Sequence, residues 1–317
     1  MAGMWQGIHL HNCSGLQFIS GNQPEGKSSQ NNACNKLPVT VLKRIFLIKL
    51  KLMKTYFIDS FTKEKFRGNP AAVCVTENAL NEMLMQNAAT EIGFSETAFI
   101  TGIEKNIFNI RFFTPLKEIT LCGHATLASA KILFDTTDLK HVVFINKEGI
   151  KLTAERAGAK IKMQFPVYDT VPFEAPSAML KALGTEQIIN ACFNKERNIV
   201  LLEISSTTAL QKLSPDFSAL LQSYQGIAGV LVTAKSGEGN FDFHYRYFWP
   251  WTGSNEDPVT GAVHTFLTKY WALKLNKKNL KAFQSSRRSG EMKTEWADDK
   301  VFIYGEAITV LEGILNI

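Results

Sequence analysis

Three side chains in this 317-residue chain have the chemistry and the surroundings needed to move protons. Glu96 lies in Gly93-Phe94-Ser95-Glu96-Thr97-Ala98-Phe99-Ile100. Read as a strand, that segment puts Phe94, Glu96, Ala98 and Ile100 on one apolar face. A carboxylate among apolar neighbours is desolvated, which raises its pKa and suits it to act first as base and then as acid. His124 follows Gly123 at the start of an apolar helix, where a buried imidazole is expected to stay neutral and to shuttle a proton near pH 7. Asp257 precedes Pro258 in Glu256-Asp257-Pro258-Val259-Thr260-Gly261. Each of the three also fits a structural role. Glu96 reads equally as an edge-strand acid facing water, His124 as a satisfied core histidine, and Asp257 as a helix N-cap.

Gly123 and Gly261 each stand where the chain turns into a helix. A helix start leaves N–H groups unpaired and carries the positive end of the dipole. Glycine there lets a ligand approach the backbone, so two such turns facing one cleft would bind and orient a small carboxylate. Tight turns needed only for packing explain the same glycines. Cys122 offers a thiol beside His124, but neighbours in sequence need not be neighbours in space. Among nucleotide, zinc and serine-nucleophile motifs, no G-x-G-x-x-G, Walker A, H-E-x-x-H or G-x-S-x-G is present.

The elements that must position these groups come in two similar sets. Arg111-Phe112-Phe113-Thr114-Pro115 precedes Cys122-Gly123-His124-Ala125-Thr126 and a buried helix. Arg246-Tyr247-Phe248-Trp249-Pro250 precedes Asp257-Pro258-Val259-Thr260-Gly261-Ala262 and another. Arginine, two aromatics, a proline and then a glycine turn, met twice, indicate a duplicated α+β fold with its halves facing each other across a cleft. Enrichment in β-branched and aromatic residues predicts strands over 55–61, 71–76, 96–102, 108–114, 141–147 and 160–167. Further strands are expected over 197–205, 229–236, 241–248, 281–286 and 300–305. Helices are expected over 80–93, 124–134, 214–224 and 260–275.

Composition bounds the rest. At 45% apolar and 20% charged residues, the chain reads as an ordinary globular protein of about two domains. It lacks the run of about 18 apolar residues that a membrane-spanning helix needs. The net charge of +6 is concentrated at the start: residues 1–53 hold six basic residues and one acid, and residues 54–317 hold 29 basic against 28 acidic. A nucleic-acid binder would carry its basic excess in the folded body, so neither nucleic acid nor membrane is expected as a partner. Residues 1–53 read as a basic leader, disordered or dispensable, ahead of an internal start at Met53. Five cysteines without a C-x-x-C fit a reducing, cytoplasmic location.

Gly68-Asn69-Pro70-Ala71-Ala72-Val73, Ser95-Glu96-Thr97-Ala98-Phe99, the octet 121–128 and Glu256-Asp257-Pro258-Val259-Thr260-Gly261 occur in an order that resembles the PhzF-like family. That family is named for an isomerase of phenazine biosynthesis and is built on the diaminopimelate-epimerase fold. The resemblance spans residues 54–317. It implies two pseudo-symmetric halves, each a mixed sheet around a central buried helix, over 54–167 and 168–317, with the last strand returning to the first half. It also implies a homodimer and no cofactor. The family's isomerase acts on trans-2,3-dihydro-3-hydroxyanthranilate, where a glutamate moves a proton from C3 to C1; Glu96 matches that glutamate. By the same matching, His124 and Asp257 hold the amino and hydroxyl groups or assist proton transfer. Ser95, Gly123, Gly261 and the position of Ala262 surround the carboxylate and ring.

Two positions depart from the family pattern. Ala262 replaces a serine, a loss of about 0.5–1.5 kcal/mol for one neutral hydrogen bond. Ser289 stands where the family favours a glycine before Gly290. The epimerase relatives use one cysteine from each half, but only the first half offers one, Cys122, with Asp257-Pro258 where the second is expected. Proton transfer by a single acid therefore fits better than racemisation by two thiols. An amino- or hydroxy-acid epimerase and a non-catalytic binding protein on the same fold remain the other readings.

Overall fold

A computed structural model describes residues 52–317 except 186 and 238. The leader reading therefore falls outside the described residues up to residue 51. The first described strand begins at Leu52, and Met53 is fully buried in a cluster with Cys74 and Met85.

The first half comprises β1 (Leu52–Ser60), β2 (Asn69–Thr76), α1 (Glu82–Ile92), β3 (Thr97–Glu104), β4 (Ile107–Phe113), β5 (Glu118–Ile119), α2 (Gly123–Thr136), β6 (His141–Ile145), β7 (Lys151–Ala157) and β8 (Lys160–Pro166). The second half begins with β9 (Val171–Pro172), α3 (Ser177–Leu183), β10 (Asn190–Asn194), β11 (Ile199–Ile204), α4 (Thr207–Lys212), α5 (Phe217–Ser223) and β12 (Gly229–Lys235). It continues through β13 (Phe243–Trp249), β14 (Ser254–Glu256), α6 (His264–Leu275), β15 (Asn279–Gln284), β16 (Gly290–Ala297) and β17 (Lys300–Gly305), and the chain ends in β18 (Ala307–Asn316). The short helices α3 and α4 and the strands β7, β10, β16 and β18 were not expected from the sequence. Of these, α4, β7 and β16 are rich in lysine, glutamate and threonine.

The two halves repeat one pairing scheme. β2–β3 is parallel, β3–β4 antiparallel and β4–β6 parallel. β11–β12, β12–β13 and β13–β15 follow the same sequence of directions. The halves join through antiparallel β8–β17, and β18 crosses back to pair along the whole of β1.

Each half is wrapped around its own helix. α2 packs against β1, β2, β3, β7 and β8, and α6 against β15, β16 and β17. A helix covered on every side has no need of an amphipathic stripe. Accordingly, all of α2 from His124 to Phe134 is buried apart from Lys131. Its small residues Ala125, Ala128, Ser129 and Ala130 let the sheet approach, and its hydroxyls are satisfied within the helix, Thr126 Oγ1 donating to Cys122 O at 2.7 Å.

The repeated arginine is a clamp on the strand that precedes each glycine turn. Arg111 grips Glu118 of β5 with two bonds, Nε to Oε1 at 2.6 Å and Nη2 to Oε2 at 2.7 Å. Arg246 grips Glu256 of β14 the same way, at 2.7 and 2.8 Å. Each guanidinium also covers the second aromatic of its motif, Phe113 or Phe248. Arg246 additionally donates to the carbonyl of Leu213 at 2.7 Å, tying α4 to the sheet.

At the seam, Arg288 donates to Asp59 Oδ1 at 2.7 Å and to Gly68 O at 2.8 Å. Gly68 has φ +67°, and a side chain there would meet Ser60 O at 2.1 Å, so only glycine fits. Ser289, in the place of the family's glycine, sits at φ +52° and accepts from Gly68 N at 2.8 Å. The turn keeps a left-handed residue even without glycine.

Two substitutions test this frame. Arg246→Leu strands Glu256 and should cost about 3–5 kcal/mol in chemical denaturation. Ser289→Gly relieves a left-handed backbone and should raise stability by about 1 kcal/mol.

Candidate active site

Glu96, His124 and Asp257 meet at the seam, each carried by a different connection. Glu96 closes the turn after α1, just ahead of β3, and its carbonyl accepts from Ala72 N at 3.2 Å. Ala98 and Ile100 do join the main core, but Phe94 precedes the strand and packs edge-on against Phe57. His124 is the second residue of α2, and Ser60 Oγ donates to its carbonyl at 2.8 Å. Asp257 directly follows β14 and lies well ahead of α6, so it is not that helix's N-cap. The three residues are only 6%, 7% and 6% exposed, out of reach of bulk water.

His124 Nε2 stands 3.1 Å from Glu96 Oε2. The approach is off the line of a good hydrogen bond, so Oε2 is buried without a well-directed donor. Cys122 Sγ lies close to both ring nitrogens, 3.4 Å from Nδ1 and 3.9 Å from Nε2. Burial alone would keep the imidazole neutral, but Cys122 and Glu96 outweigh it and raise its pKa well above the usual value. Burial likewise pushes Glu96 up, yet the charge of His124, with polar contacts from His124 and Ser95, brings it below the usual carboxylate value. Both shifts run opposite to the direction that burial alone would give, towards a carboxylate beside an imidazolium. Sequence reasoning weighed each residue's burial but could not see that the two are buried together.

Asp257 behaves differently. Burial lifts it to about 6 and the Glu96 charge adds to this, against the charge of His124 and hydrogen bonds from Thr260 and Asn69. Asn69 Nδ2 reaches across the seam to Asp257 Oδ1 at 2.8 Å and to Val259 O at 2.9 Å. Thr260 Oγ1 donates to the other carboxylate oxygen. Gln284 spans the same loop, accepting from Thr260 N at 2.7 Å and donating to Asp257 O at 2.6 Å. Sequence analysis assigned no role to Asn69 or Gln284. The signal for Asn69 was its place in Gly68-Asn69-Pro70; Gln284, inside an expected strand, gave none.

The two glycine turns are not alike. Gly123 opens α2, and a side chain there would meet only Phe165, at 3.8 Å. Gly261 does not open α6, which starts at His264; it belongs to a tight turn whose 261 and 262 carbonyls accept from His264 N and Thr265 N. A side chain at 261 would press on the Phe61 ring at 3.0 Å. Ser95 is exposed beside Glu96, and Ala262 is half-buried in the Gly261 turn. Aligning Glu118-x-x-x-x-Gly123 with Glu256-x-x-x-x-Gly261 makes Thr260 the counterpart of Cys122 and Ala262 that of His124. The second-half position for a matching thiol is therefore Thr260, not Asp257-Pro258.

The donor atoms of Glu96, Cys122 and His124 all lie within 4.8 Å of one another, a set chemically able to hold a thiophilic cation. The same atoms, paired as carboxylate and imidazolium, form an acid and a base shielded from water.

Comparison with known proteins identifies the family to which this fold and this buried cluster belong. The sequence model described as "phenazine biosynthesis-like protein" matches residues 58–313. A protein of Halalkalibacterium halodurans named an uncharacterized isomerase is 40% identical over 264 residues, covering 82% of this chain and 97% of its own length. A human phenazine biosynthesis-like domain-containing protein is 38% identical over 283 residues, covering 82% and 98%. The crystal structure of a PhzF-family protein from Enterococcus faecalis superposes with a TM-score of 0.77 at 36% identity, covering 84% of this chain and all of that one. The chain belongs to the PhzF-like family, and its fold is the duplicated diaminopimelate-epimerase-like α+β architecture.

Asp257 gives a pH signature. Its folded pKa lies above its ordinary value of 3.8, so its contribution is favourable while it is protonated and is lost as pH rises. Relative to Asp257→Asn, the unmutated protein should lose roughly 3 kcal/mol between about pH 4 and about pH 6 and then level off. Denaturant titrations of both proteins across that range check it.

Proposed function

We propose that the chain is a cofactor-independent isomerase that moves a proton on a small carboxylate, with Glu96 as the shuttling group. The observation that carries this reading is the buried Glu96 Oε2, ionised by its neighbour yet lacking a well-directed donor. Such an oxygen is a base waiting for a proton. It takes one from a substrate carbon, the electron pair moves into the adjacent π system, and the protonated Glu96 returns the proton to a second carbon. His124, as imidazolium, and Asp257, near its midpoint at mildly acidic pH, hold the substrate's amino and hydroxyl groups. Ser95, Gly123, Gly261 and Ala262 surround the carboxylate and ring. A dihydro-hydroxyanthranilate type of substrate meets these requirements, since it offers a carboxylate, an amine, a hydroxyl and an acidic ring proton together.

Two-thiol racemisation is less well supported. Cys122 is raised by burial, which disfavours its thiolate, and its counterpart Thr260 is a hydroxyl engaged with Asp257. The cytoplasm is the proposed location, supported by Cys74, Cys122 and Cys192, which are free and buried. Among the described residues, no helix is long and apolar enough to cross a membrane. A homodimer is the proposed assembly, by likeness to the family, and light scattering reads it directly.

Glu96→Gln should lower turnover of trans-2,3-dihydro-3-hydroxyanthranilate at least about a hundredfold while the fold is kept. Proton NMR in D₂O follows substrate loss and deuterium at the accepting carbon. Full activity in Glu96→Gln would reject Glu96 as the shuttle.

A further inference from the structure

The duplication can be followed residue by residue through the sheet. Phe113 pairs with Thr97, and Phe248 pairs with Val230. Thr97 pairs with Ala72, and Val230 with Val200. Stepping back from these anchors, Gly229 takes the place of Glu96 and Arg197 the place of Asn69. The second half thus lacks both halves of the ion pair, with Gly229 for the acid and Ala262 for the imidazole. In their stead it has an arginine at the position whose first-half counterpart reaches across the seam.

Asn69 spends its amide on Asp257 and Val259. Arg197 has no such engagement. Its Nε is buried without a hydrogen-bond partner, and among the described residues no carboxylate pairs with it. Its guanidinium lies over the face of Tyr168, 5.5 Å from the ring centroid. Tyr168 is itself tied to the first turn of α6, its N–H donating to Thr265 O, four residues beyond Gly261, at 2.8 Å. Tyr247 fills the space in front of Gly229, where a side chain would meet its hydroxyl at 2.7 Å, and its carbonyl accepts from Asp257 N at 3.1 Å. The Tyr247 hydroxyl senses both neighbours: burial and Asp257 raise its pKa, and Arg197 lowers it. Beside it, at 5.7 Å between rings, Trp249 keeps a buried indole N–H without a partner.

We propose that Arg197 anchors the substrate's carboxylate on the second-half wall of the cleft, across from Glu96 and His124. This inference rests on the proton-transfer reading above and sharpens it. Arg197 adds a charged contact from the second half to the carboxylate that Ser95, Gly123, Gly261 and Ala262 surround. A half-buried guanidinium without a carboxylate partner holds unspent binding capacity, and arginine's planar fork matches a carboxylate with two parallel bonds. Aromatic rings on the same wall suit a flat, unsaturated acid.

Calorimetry with 2-aminobenzoate and its neutral analogue 2-aminobenzamide tests the anchor on the full chain. The unmutated protein should bind the acid at least tenfold more tightly than the amide. Arg197→Gln should erase that preference, and Arg197→Lys should recover part of it, which separates lost charge from lost fold. A preference that survives in Arg197→Gln, or its absence from the unmutated protein, overturns the anchor. Glu96→Gln should keep the preference. If it does so while also keeping turnover, the proton-transfer reading fails and the anchor stands.

Discussion

The contact between Glu96 and His124 sets what the rest of the structure must do. Two opposite charges buried together lose more hydration than they recover unless their surroundings fix them closely. Here the surroundings are covalently distant: the acid ends the turn before β3, and the imidazole begins α2. Holding both within 3.1 Å requires the sheet to wrap that helix from several sides. It also requires Ser60 to fix the His124 carbonyl and Ala72 to fix that of Glu96. A pair kept at such cost, beside a third carboxylate raised to about 6, is the arrangement expected of a functional site rather than of a stability device.

Duplication gives this constraint its economy. Both halves use the same frame, in which an arginine–glutamate clamp leads into a glycine turn and then a buried helix. The equivalent positions have diverged in chemistry. Cys122 faces Thr260 in the alignment, His124 faces Ala262, and Asn69 faces Arg197. The first half has kept acid and base, while the second contributes Asp257 and a wall of aromatic and cationic groups. Asn69 and Arg288 stitch the halves together, so that the loop carrying Asp257 is positioned by residues far away in sequence.

Much of this was legible from the residues. Strands rich in valine, isoleucine and phenylalanine, and the helices around 82–92 and 123–136, lie close to where composition puts them, and Gly93 ends α1 in the left-handed conformation that a glycine cap allows. β16 alternates between buried and half-buried positions, but glutamate and lysine on its outer face dilute the β-branched and aromatic enrichment that marks a strand, and β18 has no fully buried residue. The start of α6 was misread because the tight turn at 261–263 mimics a helical pattern. The sequence points to Glu96, His124 and Asp257, which the structure brings close together, but not to the direction in which Glu96 and His124 shift. Burial has a sign that sequence can suggest; the partner that reverses it is a fact of three dimensions. Asn69, Gln284 and Arg197 went unassigned for the same reason, since their roles exist only across the seam.

Whether His124 is an imidazolium held by the Glu96 carboxylate is read directly by nitrogen-15 NMR of the histidine rings. With only six histidines in the chain, a His124→Asn spectrum assigns the signal. The account predicts that both ring nitrogens of His124 carry protons at pH 7 and keep them well above the usual imidazole range, and that Glu96→Gln brings the titration down. A neutral His124 ring at pH 7, unmoved by that substitution, would contradict it.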